Sequence, residues 1–247
     1  MDPLTTSAAS GLRARMESLE MLANNLANVS TDGFKTDREF YGLYVSPESL
    51  DPAGGGMPQT LPVIERHWTD FTQGVLHPTG NPFHLAISGR GFFTVNGPAG
   101  RLYTRNGGFQ LSATGVLSTA EGYPVRAVGG GTLRASSQSP IEVAPDGVVT
   151  QDGQALGQLE LVDFTDTGAL AKQGRAYFRA DDPRAQPVAA AGAAVHQGKL
   201  EGSNVTGAEG AVRLIGVMRQ FEMLQKAVSI GGEMNRKAVE EVARVGS

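Results

Sequence analysis

The sequence predicts an α+β protein in which N- and C-terminal helices pair in a coiled-coil-like manner and a mainly antiparallel β domain is inserted between them. Three observations lead there. Heptad-like apolar spacing occurs at the two ends of the chain and nowhere else. Between the ends, short apolar runs alternate with turn dipeptides at roughly the 8–12-residue spacing of β architectures. The 247 residues include 33 glycines and only 6% aromatics, a composition suited to many tight turns.

The first element follows from Leu12, Met16, Leu19, Ala23 and Leu26, which step 4, 3, 4, 3 and so form a narrow a/d seam. Asp2 or Thr5–Thr6 can cap its start, and it is expected to end near Val29. Ser30, Thr31, Asp32 and Gly33 then turn the chain ahead of Phe34, with Gly33 free to take positive φ. Asn24, Asn25 and Asn28 are out of character for this helix, since asparagine costs up to ~0.7 kcal/mol against alanine. Asn24 and Asn28 are one turn apart and share a face, with Asn25 beside them. Amides so placed can fix register at a buried interface where leucines alone would slide. Leu22 and Val29 lie off the seam, as Ile215 and Met218 do at the other end. Burying them calls for contacts with other chains.

Residues 1–35 are therefore read as an N-terminal assembly segment. Residues 36–75, containing PESLDPAGGGMPQTLP (47–62), read as an extended connecting segment with little core material. In the body, residues 76–202, the apolar runs are HLAI (84–87), FFTV (92–95), GVLS (115–118), IEVA (141–144), GVVT (147–150) and QLELVDF (158–164). Asn-Gly at 96–97 and 106–107 and Asp-Gly at 146–147 and 152–153 are hairpin signals. The C-terminal segment, 203–247, begins with candidate caps at Ser203, Asn204 or Thr206. Leu214, Val217, Phe221, Leu224 and Val228 step 3, 4, 3, 4, and Met234, Ala238, Val242 and Val245 continue the stripe. The helix is expected from about residue 208 to 243, with a kink or a close helix contact at Gly231–Gly232.

Chemistry-bearing patterns are sparse. The net charge is −4 without a long basic run, which disfavours nucleic acid as a partner. Cysteine is absent, excluding disulfides and thiolate sites. No apolar run is long enough for a spanning helix, so no membrane insertion is expected, and no cleaved secretory signal is visible. His67, His77, His84 and His196 lack paired ligand spacing. GRGFFTVNG (89–97) fails as a nucleotide loop and DFTDTG (163–168) as a calcium loop. No catalytic, metal or cofactor residues are assigned, and the protein is not expected to be an enzyme.

LANNLANVSTDGFK (22–35) resembles the N-terminal signature of the bacterial flagellar basal-body rod and hook proteins. ISGRGFFTV (87–95), YTRNGGF (103–109), LSTAEGYPV (117–125), KLEGSNV (199–205) and MRQFEMLQKA (218–227) are similar to that family's later blocks, in the same order. Within the family, LEGSNV and RQFEM look closer to the proximal-rod type than to the distal-rod type, while Asp32 and the Gly231–Gly232 pair depart from the common pattern. The resemblance implies a self-assembling structural subunit of the rod that transmits motor torque. Its partners would be copies of itself, other rod subunits and the flagellar type III export apparatus. It would reside in the basal body, where the rod crosses the periplasm, and be exported without a cleaved signal. The assembly interface would comprise Leu12, Met16, Leu19, Leu22, Asn24, Asn25, Leu26 and Asn28 with Val217, Phe221, Leu224 and Val228, followed by the turn Asp32–Gly33–Phe34. Two alternatives stay open: a distal-rod or hook-basal-body subunit, and a non-flagellar binding module on a coiled-coil stalk that presents Tyr103, Arg105 and Tyr123.

Overall fold

The computed structural model describes residues 3–45, 60–136 and 139–245. Two long helices flank a β region in which every described strand pairing is antiparallel, an α+β architecture. The chain divides into two compact units: residues 1–27, 37–68 and 206–247, and residues 28–36 and 69–205.

In the first unit, helix α1 (Pro3–Ala27) packs against helix α2 (Gly207–Val245) and a two-stranded hairpin of Asp37–Val45 with Thr60–Thr69. Helix α1 ends two residues before Val29, where Asn28 accepts hydrogen bonds from Thr31 at both its carbonyl and its side chain. Helix α2 runs through Gly231–Gly232 as one uninterrupted helix. At ~1.5 Å per residue its 39 residues extend about 58 Å. The Asp2 cap, and 47–59 of the Pro/Gly stretch, lie outside the described residues, as do the side chains of Thr5, Thr6, Val242 and Val245. The strands on either side of that stretch are the hairpin.

In the second unit, a six-stranded sheet runs in the order Ala171–Gln173, Tyr177–Arg179, Gly100–Thr104, Phe92–Gly97, Leu161–Phe164 and Pro187–Ala189. Phe92–Gly97 is central, and its first four residues are all buried. Successive side chains face opposite ways, so Phe93 and Val95 enter one core with Leu85, Ile87 and Phe109. Phe92 enters the other with Tyr103, Phe164 and Phe178. A three-stranded sheet orders Gln154–Gln158, Val148–Gln151 and Ile141–Val143. Leu85–Ser88 pairs with Ala194–Gln197, and Leu76–Pro78 with Lys199–Glu201.

The turn dipeptides divide by register. Asp152–Gly153 forms the expected two-residue turn, both residues at positive φ (51° and 76°). Gly147 (φ 86°) closes the turn before Val148–Gln151. Asn96–Gly97 does not turn: Gly97 pairs with Gly100, which moves the loop to Pro98–Ala99. Asn106–Gly107 is not a hairpin either. The Gly107 carbonyl accepts from the Leu85 N–H, and a Cβ there would sit 1.7 Å from the Leu85 oxygen, so the glycine permits a backbone crossing.

Candidate assembly interface

Helices α1 and α2 run antiparallel: a Cβ on Gly11 would lie 3.5 Å from Leu224, and one on Gly210 would lie 4.0 Å from Leu26. On α2 the expected seam is the one that packs. Val217 is buried, and Leu214, Phe221, Leu224, Val228 and Gly231 are half-buried, a 3-and-4 spacing maintained over five steps. From Gly232 to Arg244 every side chain described is exposed, Met234 and Ala238 included.

Helix α1 departs from the expected stripe. Its buried positions are Gly11, Ala14, Ser18, Leu22 and Asn25, while Leu12, Leu19 and Leu26 are half-buried and Met16 and Ala23 are exposed. Two partners share this helix. Leu26 and Gly11 face α2, whereas Ser18 and Asn25 face the hairpin. The buried arc is thereby rotated away from Met16 and Ala23, which fall past its edge. An a/d reading assumes one partner helix and misses this.

The asparagines separate accordingly. The Asn25 amide donates to the Asp37 carbonyl at 2.8 Å and its oxygen accepts from the Asp37 N–H at 3.0 Å. This two-point clamp mimics one step of a β-ladder and fixes where the hairpin starts against the helix. Asn28 is buried at the turn, and Asn24 is exposed. Asn25 thus bonds the hairpin and Asn28 the turn. A second anchor was not legible in the sequence. The Glu39 side chain is 1% exposed, and its Oε1 accepts from Ser18 Oγ at 2.8 Å and Arg213 at 3.2 Å, tying the hairpin to both helices.

A stripe on the opposite side of α2 is left uncovered by the described residues: Val212, Ile215, Met223, Ile230 and Met234 are exposed. At 100° per residue, Val212, Met223, Ile230 and Met234 fall within one narrow arc facing away from the seam.

In the second unit, the turn places Asp32, Gly33 and Phe34 against the β body. Gly33 has φ +69°, and a Cβ on it would lie 2.2 Å from the Asn106 nitrogen. Phe34 is fully buried, with the Lys172 ammonium 3.9 Å above its ring. Next to it is a buried charge cluster that the sequence reading missed. Lys35 Nζ donates to Glu201 Oε1 at 2.5 Å and to the Thr72 carbonyl at 2.7 Å. Arg105 donates to Glu201 Oε2 at 3.1 Å and to the Gly89 carbonyl at 2.7 Å. The Gly74 N–H also donates to Glu201 Oε1. Burial pushes Lys35 below the ordinary lysine range, with the Glu201 charge opposing that shift. The signal available in sequence was only that charged residues stand inside apolar signature blocks. Arg105 and Tyr103 are each 4% exposed, and Tyr123 is half-buried against Tyr177. These three therefore form no exposed binding face, which removes the basis for the stalked binding module.

Three family descriptions match successive parts of the chain: flagella basal body rod protein over residues 6–35, flagellar hook protein FlgE/F/G D1 domain over 86–153, and flagellar basal body rod FlgEFG protein C-terminal over 196–241. The flagellar basal-body rod protein FlgF of Caulobacter vibrioides is 35% identical over 92% of this chain and 92% of its own length. This chain belongs to the flagellar basal-body rod protein family. Other rod-family relatives are the FlgG proteins of Buchnera aphidicola (from Acyrthosiphon pisum), 32% identical, and of Bacillus subtilis, 30% identical, covering 96% and 94% of the chain and 98% and 96% of their own lengths. The matched regions at 6–35 and 196–241 take in nearly all of the seam, the Asn25 clamp and two members of the buried charge cluster, Lys35 and Glu201, while Arg105 falls in the D1 match.

Proposed function

We propose that this rod-family protein is a structural subunit of the flagellar basal-body rod, of the proximal type, which assembles through its terminal helices into the tubular shaft that carries motor torque to the hook. The observation that carries this reading is the apolar stripe Val212, Ile215, Met223, Ile230 and Met234 on α2, which the described residues leave exposed. The parts divide the work. Residues 1–35 and 203–247 are the assembly segments, pairing as a coiled-coil-like unit; 36–75 connect them to the body at 76–202. Leu12, Leu19, Leu22 and Leu26 with Val217, Phe221, Leu224 and Val228 hold the pair together. Asn25 and Asn28 set its register, and Met16 and the outer stripe meet neighbouring copies and other rod subunits. Contacts of this head-to-tail kind, repeated with a rotation and a rise, generate an open helical assembly rather than a closed ring. In this reading the subunit reaches the periplasm-crossing rod through the flagellar type III export apparatus without a cleaved signal.

The test replaces Ile230 and Met234 with glutamate and measures incorporation into isolated basal bodies. Loss of incorporation, with the body still folded, is expected. Normal incorporation would remove the outer stripe from the interface. Crosslinking from motile cells assigns the neighbours: hook subunits alone, without rod partners, would overturn the proximal assignment.

A further inference from the structure

Three stretches of chain meet around Glu201: residues 33–36, 70–74 and 201–204. Each is held by the other two, and Lys172 at the edge of the six-stranded sheet also donates to the Lys35 carbonyl at 2.7 Å. The Gly33 N–H donates to the Glu201 carbonyl at 2.7 Å, the Asp70 N–H to the Thr36 carbonyl at 2.8 Å, and the Gly202 N–H to the Val75 carbonyl at 2.9 Å. Two side chains each reach into more than one stretch. Asn204 accepts from the Thr36 N–H at 2.8 Å and donates to the Asp70 carbonyl at 2.7 Å and to Thr72 at 3.2 Å. The Glu201 carboxylate binds Lys35, Gly74 and Arg105 together, and the Lys35 and Glu201 side chains are both 0% exposed.

We propose that Lys35, Arg105 and Glu201 form a charge latch that makes these three stretches order together or not at all, so that the chain's entry into the β body and its exit close in one cooperative event. The reason is the cost of the half-closed states. If 33–36 leaves alone, Glu201 keeps one cation where it had two, the Thr72 carbonyl loses the shorter of its two donors, and the Asn204 oxygen loses the Thr36 N–H. If 201–204 leaves alone, Lys35 and Arg105 stay as two like charges with no carboxylate between them. Buried charges without partners are far less tolerable than paired ones, and a shared carboxylate spreads that penalty over all three stretches. Gly33 adds a steric condition, because its backbone fits directly on Asn106. The consequence for assembly rests on the rod reading above: any rearrangement of the terminal helices before a subunit is incorporated is bounded by the latch at residues 33 and 204. The latch itself is read without reference to assembly.

Native-state hydrogen exchange on the full-length chain, in rising sub-denaturing urea, tests this. The amides of Gly33, Thr36, Asp70, Gly74 and Gly202 are expected to merge onto one opening isotherm. Separate isotherms for Gly33 and Thr36 against Gly74 and Gly202 would overturn the latch. In Lys35→Met, exchange at Gly74 and Gly202, far from residue 35 in sequence, is expected to accelerate at least tenfold while Phe93–Asn96 amides keep their protection. Acceleration confined to 33–36 would overturn it. Should Lys35→Met cost the body its fold, Asn204→Ala removes only neutral hydrogen bonds, and the same five amides should accelerate together; a change at Thr36 alone counts against the latch.

Discussion

At the scale of single residues, neighbours in sequence differ sharply in consequence. Asn25 and Asn24 share chemistry and helix propensity, but only Asn25 is buried and clamps both backbone groups of Asp37. Asn25→Ala should destabilise the first unit by about 1–3 kcal/mol, the cost of orphaned buried polar groups. Asn24→Ala, on an exposed position, should fall within ~0.5 kcal/mol of wild type. Urea unfolding followed by helical circular dichroism separates the two. Gly33 is constrained twice, by positive φ and by contact with the Asn106 backbone. Gly33→Ala should therefore cost more than the ~1 kcal/mol that a left-handed alanine alone incurs, and measured stability near wild type would contradict that packing. Glu201→Ala leaves Lys35 and Arg105 buried without their carboxylate, with an expected loss of about 3–5 kcal/mol.

At the scale of elements, the glycines of the two helices have opposite roles. A Cβ on Gly232 meets nothing within 4 Å, whereas one on Gly11 would touch Leu224 at 3.5 Å, an ordinary van der Waals distance. Alanine should be accepted at both positions and raise stability by up to ~1 kcal/mol through helix propensity. A larger residue should be accepted only at position 232: Gly11→Phe would separate the helices, while Gly232→Leu should leave the α1–α2 pairing intact. Disulfide trapping between cysteines placed along α1 and α2 would report either outcome. The hairpin depends on Glu39 in the same way that the helix pair depends on its seam. Its carboxylate is anchored by Ser18 and Arg213, so Glu39→Ala should release the hairpin from α2, leave the Asn25 clamp as its tie to α1, and raise proteolysis within 37–69.

At the scale of the whole molecule, the chain is interrupted twice by its own architecture. The first unit is assembled from three separate segments, and the second begins with residues 28–36 before resuming at 69. Its cores are independent: Phe92 and Phe93 feed two separate clusters within the body, and neither contains a residue of α1 or α2. Replacing Val217 with aspartate should abolish helix protection in hydrogen exchange while the Phe93–Val95 amides of the body keep theirs.

What was legible in the sequence follows the two periodicities. The seam of α2, the strand FFTV and the Asp152–Gly153 turn each depend on local spacing or local φ preference, and each is where the sequence puts it. The hairpin strands around PESLDPAGGGMPQTLP, the rotated face of α1 and the loop at Pro98–Ala99 were not, because each depends on which partner arrives and in what register. The family blocks themselves were visible, but not what their charges do.

The sequence by itself determined the element types, the order helix–β body–helix and the membership in the rod family, since these rest on residue spacing that survives without any knowledge of neighbours. Only the tertiary structure decided that Asn25 clamps Asp37, that Glu39 ties the hairpin to both helices, and that Lys35, Arg105 and Glu201 meet. A contact spanning 166 residues between Lys35 and Glu201 leaves no periodic trace. Its energy arises from excluding water around opposite charges, a condition that exists only once the chain has closed around them.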